Sequence, residues 1–168
     1  AVGNGVARSP STVSAGGGTS IAFASLALGD AAGNFSPTLR LSAAQSAGGS
    51  VTIHRGAKLQ QDTNQQVVFG SLTVMPGGML THAANSSARS FLINVSVTGD
   101  LDLQAGATVA ASALGYAGGS GYQVAGSGPG GGSGNDSSSG SGGGHGGTGG
   151  LGRNATLPAG AAYDSVTN

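Results

Sequence analysis

Between residues 49 and 109 the chain writes one alternation of apolar and polar positions three times. The copies read GSVTIHRGAKL from Gly49, GSLTVMPGGML from Gly70 and GDLDLQAGATV from Gly99, with starts 21 and 29 residues apart. Apolar residues at every second position mark a strand with one face buried and the other in water. The pattern puts Val51, Ile53, Leu72, Val74, Leu101 and Leu103 on the covered face, with Thr52, Thr73 and Asp102 on the other. A second glycine follows in each copy, at Gly56, Gly77 and Gly106, and three residues later an apolar residue, at Leu59, Leu80 and Val109. That glycine predicts a turn of positive φ, which only glycine adopts without strain. One copy is too small to bury its own face, so the copies are predicted to stack as an all-β parallel β-solenoid, or β-helix. The same alternation fits a β-sandwich if the copies pair antiparallel.

The flanking pattern adds further elements. Ile21 and Phe23 alternate, and Leu26 and Leu28 continue in the opposite parity, which predicts a strand with a bulge before a turn at Gly29 and Asp30. Leu39 and Leu41 predict a short strand after Pro37, Gln60 to Gln66 a polar turn, and Val67 to Phe69 a further strand. In Phe91 to Val97, Ile93, Val95 and Val97 share one face, which turns Asn94 and Ser96 outward. The longer second spacing reads as an exterior insertion around Asn85 to Arg89. The expected division is an extended arm over 1–18, a solenoid module over 19–117, a Gly/Ser-rich segment over 118–152 and a C-terminal segment over 153–168.

In the Gly/Ser segment, glycine occupies 128, 131, 134, 140, 143, 146, 149 and 152, every third position except Ser137. A three-residue period suits laterally packed polyproline-II-like strands, and the composition equally suits a loop laid over the solenoid. Pro129 is the one proline of the tract, which argues against collagen.

Charge narrows the partners. Only 7% of the 168 residues are charged, and six basic side chains balance six acidic ones, so nucleic-acid binding is not expected. The longest apolar stretch, Ile21 to Leu28, is far short of the roughly 20 residues that span a bilayer, and no membrane insertion is expected. Cysteine is absent, which removes disulfides, thiolate metal sites and cysteine nucleophiles. A first residue of Ala fits removal of a signal peptide and an internal fragment equally well.

Candidate chemistry is sparse. Asn34, Asn85, Asn94, Asn135 and Asn154 each open an Asn-x-Ser/Thr sequon, five of the seven Asn residues that have a residue two places downstream. Chance would give about 1.5 in a chain with this much Ser and Thr, so the excess points to a secreted, N-glycosylated surface. Asn85, Asn94 and Asn154 are the preferred acceptors, because Pro37 follows the Asn34 site and Asp136 sits inside the Asn135 site. Asp100 and Asp102 lie two apart on one strand and read as a solvated polar face, since two ligands are too few for calcium. His54, His82 and His145 lack metal-ligand spacing and read as surface residues. GGGHGGTGG lacks the Lys-Ser/Thr of a phosphate loop. No cofactor, metal site or catalytic residue is expected.

The phrase GSLTVMPGGML and its two relatives resemble the coils of right-handed parallel β-helix proteins of the pectin-lyase-like and adhesin type, and SGGGHGGTGG resembles glycine-rich segments that accompany such coils in extracellular proteins. The resemblance spans roughly residues 49–152 and implies an extracellular or cell-surface location. Lyases of that fold bind calcium through several acids and use Arg or Lys as base. Only Asp100 and Asp102 could correspond here, with no basic residue beside them, so an enzyme is not expected. The expected function is a structural subunit of an extracellular filament or surface layer, assembling end to end with copies of itself. A carbohydrate-binding adhesin with Tyr116 and Tyr122 as its platform is the alternative, and a polysaccharide-degrading enzyme the third reading.

Overall fold

The computed structural model describes residues 12–15, 23–120, 123–134, 140–145, 147–152 and 157–163. The chain divides into two compact units, residues 1–83 with 90–114, and residues 84–89 with 115–168. The segment around Asn85 to Arg89, expected as an exterior insertion of the repeats, therefore belongs with the second unit.

Among the described residues the first unit is all-β. Its strands are β1 (Thr12–Ala15), β2 (Ser25–Leu28), β3 (Thr38–Leu41), β4 (Gln45–Ile53), β5 (Lys58–Gln61), β6 (Val67–Val74), β7 (Met79–His82), β8 (Val95–Val97), β9 (Leu101–Leu103) and β10 (Thr108–Ala110). They form two sheets, one ordered β1-β3-β5-β7-β10 and one ordered β2-β4-β6-β8, with β9 also on β6. Every pair is parallel, unlike the antiparallel pairing that a β-sandwich of these copies requires. β1 lies inside the expected arm and pairs with β3. Ile21 lies outside the described residues.

The three sequence copies pair in the alignment read from the pattern. Val51 opposes Leu72, which opposes Leu101, and Ile53 opposes Val74, which opposes Leu103. Thr52, Thr73 and Asp102 line up between them. Leu59, Leu80 and Val109 stack in the other sheet. Side chains alternate across a strand, so this register gathers Val51, Ile53, Leu59, Leu72, Val74 and Leu80 of the first two copies into the one core that both sheets share. Leu28, Leu39, Leu41, Val67 and Phe69 complete it. The strand predicted at Val67 to Phe69 is the first half of β6 rather than a separate element.

The turns repeat as well. Ala57 N–H donates to the His54 carbonyl at 3.0 Å, Gly78 N–H to Met75 at 2.8 Å and Ala107 N–H to Gln104 at 2.8 Å. Gly56, Gly77 and Gly106 occupy the third position of these turns with φ of 76°, 76° and 89°, the conformation a type II turn demands there. The turns bond to one another, Gly56 N–H to the Gly77 carbonyl at 2.9 Å and Gly77 N–H to Gly106 at 2.8 Å, so the ladder runs unbroken through the corner.

Part of the predicted polar turn is core. Gln60 and Gln61 are strand residues, and Gln61 is fully buried beside Leu59 and Leu41. Its amide replaces a missing peptide group: Nε2 donates to the Gln65 carbonyl at 2.6 Å, and Oε1 accepts the Asn94 N–H at 2.8 Å. A buried polar side chain is tolerable when it is bonded in this way. Nearby, Arg40 Nε meets Asp62 Oδ2 at 2.6 Å, a half-exposed ion pair that contributes at most about 1 kcal/mol.

The second unit has no strand or helix among its described residues. Its segments bond through glycine backbone instead. Gly144 N–H donates to Gly130 at 2.8 Å, Gly142 to Gly150 at 2.8 Å, Gly149 to Gly160 at 2.9 Å and Gly160 to Gly142 at 3.0 Å. Gly130, Gly132, Gly152 and Gly160 are buried. A methyl group on Gly160 would overlap the Gly130 carbonyl oxygen and lie 2.6 Å from the Gly144 nitrogen, so only a bare backbone fits. Gly130, Gly132, Gly144 and Gly160, all closely approached, fall outside the three-residue register read from the sequence.

Candidate functional site

The open end of the two sheets is the most conspicuous surface of the first unit. Among the described residues β10 is the last strand of its sheet, and β9 pairs with β6 alone. Leu101, Leu103 and Val109 are 57%, 48% and 50% exposed, whereas Leu72, Val74 and Leu80, one rung earlier in the same register, are 0%, 0% and 4% exposed. Chemically equivalent positions thus differ only in having a next rung. Parallel strands with a free edge and apolar side chains beside it are a template for another strand.

The remaining candidate residues are dispersed. Asp100 and Asp102 are exposed on this last rung, and Asp102 Oδ2 accepts from Gln104 Nε2 at 3.1 Å. Among the described residues no three His, Asp or Glu side chains converge on a metal site. His54 is half-buried and His145 exposed. His82, expected at the surface, is buried at 8% exposure, because its strand position faces inward beside Gln61. Its Nδ1 lies 2.7 Å from the Ala83 carbonyl, which can only accept, so the proton sits on Nδ1.

Of the sequons, Asn34 is exposed and held by Asp30: its N–H donates to Asp30 Oδ1 at 2.8 Å and its Nδ2 to Oδ2 at 3.1 Å. Desolvation raises the Asp30 pKa, but the hydrogen bonds from Asn34 and from the Gly33 and Phe35 amides outweigh it and hold the carboxyl below its ordinary value. Asn94 precedes β8 instead of lying on an outward strand face. It is half-buried, and its Nδ2, the glycan-accepting nitrogen, donates to the Asn64 carbonyl at 3.1 Å. Asn85 is half-buried in the 84–89 segment. Asn135 and Asn154 lie outside the described residues.

The second unit contains a groove of about 500 Å³. Tyr116 and Tyr163 line it with Val124, serines and glycine backbone. Both rings rest on glycines: a methyl group on Gly128 would lie 2.5 Å from Tyr116 Cγ, and one on Gly130 would lie 2.5 Å from Tyr163 Cδ1. Tyr163 also stands beside His145, ring centres 4.9 Å apart at 50°. Ser133 and Ser141 donate their hydroxyls to the same Pro158 carbonyl, at 3.1 and 2.7 Å, and clasp three segments together.

No protein family, curated protein or solved structure matches this chain. Its function must be read from these two surfaces. The sequence reading paired Tyr116 with Tyr122, its near neighbour, but Tyr122 lies outside the described residues and the structure brings Tyr163 to Tyr116's groove. Nothing local in the sequence announces that pairing, since the two tyrosines are 47 positions apart.

Proposed function

We propose that this chain is a structural subunit of an extracellular filament or surface layer, a parallel β-solenoid that stacks end to end on copies of itself and carries N-linked glycans. The solenoid reading is supported by a chain that visits two parallel sheets in turn and stacks three equivalent corners. The assembly reading is carried by one observation, the exposure of Leu101, Leu103 and Val109 at positions whose predecessors are buried. Covering a half-exposed leucine or valine contributes about 1 kcal/mol, so the three supply roughly 3 kcal/mol before any strand pairing. The β1 and β2 edges of a second copy would continue both sheets in the same parallel sense. Charged residues at 7% of the chain offer little protection against such pairing.

Concentrated protein is expected to form filaments visible by negative stain. The double variant Leu101→Lys, Leu103→Lys should keep the β-rich far-ultraviolet circular dichroism spectrum and sediment as a monomer. A wild-type chain that stays monomeric at high concentration in the ultracentrifuge would refute the assembly.

The sequon excess supports the glycans and the extracellular location. Intact mass of native material should exceed the bare 15.7 kDa by whole hexose and hexosamine units. A mass equal to the bare chain removes the glycans from the proposal and leaves the stacking in place.

A further inference from the structure

We propose that the groove of the second unit binds an uncharged saccharide, with Tyr116 and Tyr163 as its stacking surfaces. This is independent of end-to-end stacking, because the open rung belongs to the first unit. At about 500 Å³ the groove has the size of a small-ligand site. Its chemistry selects the ligand class. Among the described residues that line it none carries a formal charge, so a phosphate, nucleotide or uronic acid meets no counter-charge among them. A purely apolar ligand would cover serine hydroxyls and glycine peptide groups without satisfying them. A neutral sugar matches both halves of the lining, its C–H faces against the aromatic rings and its hydroxyls against peptide groups.

The serines refine the match. Ser133 and Ser141 already donate to the Pro158 carbonyl, and Ser141 Oγ accepts the Ser133 N–H at 2.7 Å, so what the two hydroxyls still offer is acceptor lone pairs, which sugar hydroxyls can fill as donors. The groove is also pre-formed. Each ring rests against a glycine that no other residue can replace without overlap, His145 flanks Tyr163, and the segments beneath are cross-bonded through Gly130, Gly144 and Gly160. Little ordering is left to oppose binding.

The test is titration of the full chain with neutral oligosaccharides of glucose, galactose and mannose, followed by NMR and calorimetry, with an oligogalacturonate as the charged control. At least one neutral series should bind with Kd between about 10 μM and 1 mM, shifting the ring protons of Tyr116 and Tyr163. Tyr163→Ala should weaken it about tenfold or more, while Tyr163→Phe, which keeps the ring, should stay within about threefold. Absence of binding to every neutral series at about 10 mM overturns the proposal. Tighter binding of the charged control, or unchanged affinity in a folded Tyr163→Ala, does the same. Where the alanine variant fails to fold, the wild-type ring protons decide: saccharide binding that leaves both tyrosines unshifted places the ligand elsewhere.

Discussion

Replacing Gly160 with alanine is expected to open the glycine-rich unit while the sheets of the first unit stay intact. The added methyl would overlap the Gly130 carbonyl oxygen and crowd the Gly144 nitrogen and the Gly130 carbonyl carbon, none of which can turn away as a side chain could. Overpacking against backbone costs roughly 3 kcal/mol, and relieving it breaks the bonds from Gly149 to Gly160 and from Gly160 to Gly142. Hydrogen exchange reads the effect residue by residue. Amides of Gly142, Gly144 and Gly149 should lose protection, and those of β4 and β6 should keep it. Gly147→Ala and Gly150→Ala are the controls, since nothing lies within 4 Å of a methyl group at either position. Both should stay within about 0.5 kcal/mol of the parent. Equal exchange in Gly160→Ala and Gly150→Ala would mean that close backbone packing is not what holds this unit.

The second large effect separates two leucines that the sequence writes identically. Leu72→Ala should destabilise the isolated chain by about 2–5 kcal/mol in urea, because a fully buried side chain leaves a cavity between two sheets. Leu101→Ala, at 57% exposure in the neighbouring strand, should cost less than about 1 kcal/mol at dilutions where the protein is monomeric. Comparable losses at both positions would show that the last rung is covered in solution. The comparison must be made below the concentration of assembly, where burial by a second copy would raise the Leu101 value.

The parallel stack was legible because its signal is local and repeated. Alternation fixes which side chains share a face, a glycine at a constant offset fixes the corner, and three copies fix the register, so Val51, Leu72 and Leu101 align from the sequence alone. Gln61 and His82 show where that logic fails. Both continue an inward-facing parity, yet their polarity suggested a turn and a surface, because sequence pattern does not reveal that a glutamine amide can stand in for a peptide group between β5 and Asn94.

By itself, then, the sequence determined the all-β class, the register of the copies and the positive-φ corners, since each copy carries its alternation and its corner glycine within about ten positions and the copies repeat both at the same offsets. Only the tertiary structure decided which rung ends the stack, that Tyr163 shares a groove with Tyr116, and which glycines, inside and outside the three-residue register, pack against their neighbours in the second unit. Those facts depend on segments far apart in the chain meeting in space. In a tract where most residues are Gly or Ser, no side-chain pattern distinguishes the glycine that touches a neighbouring backbone from the glycine that faces water.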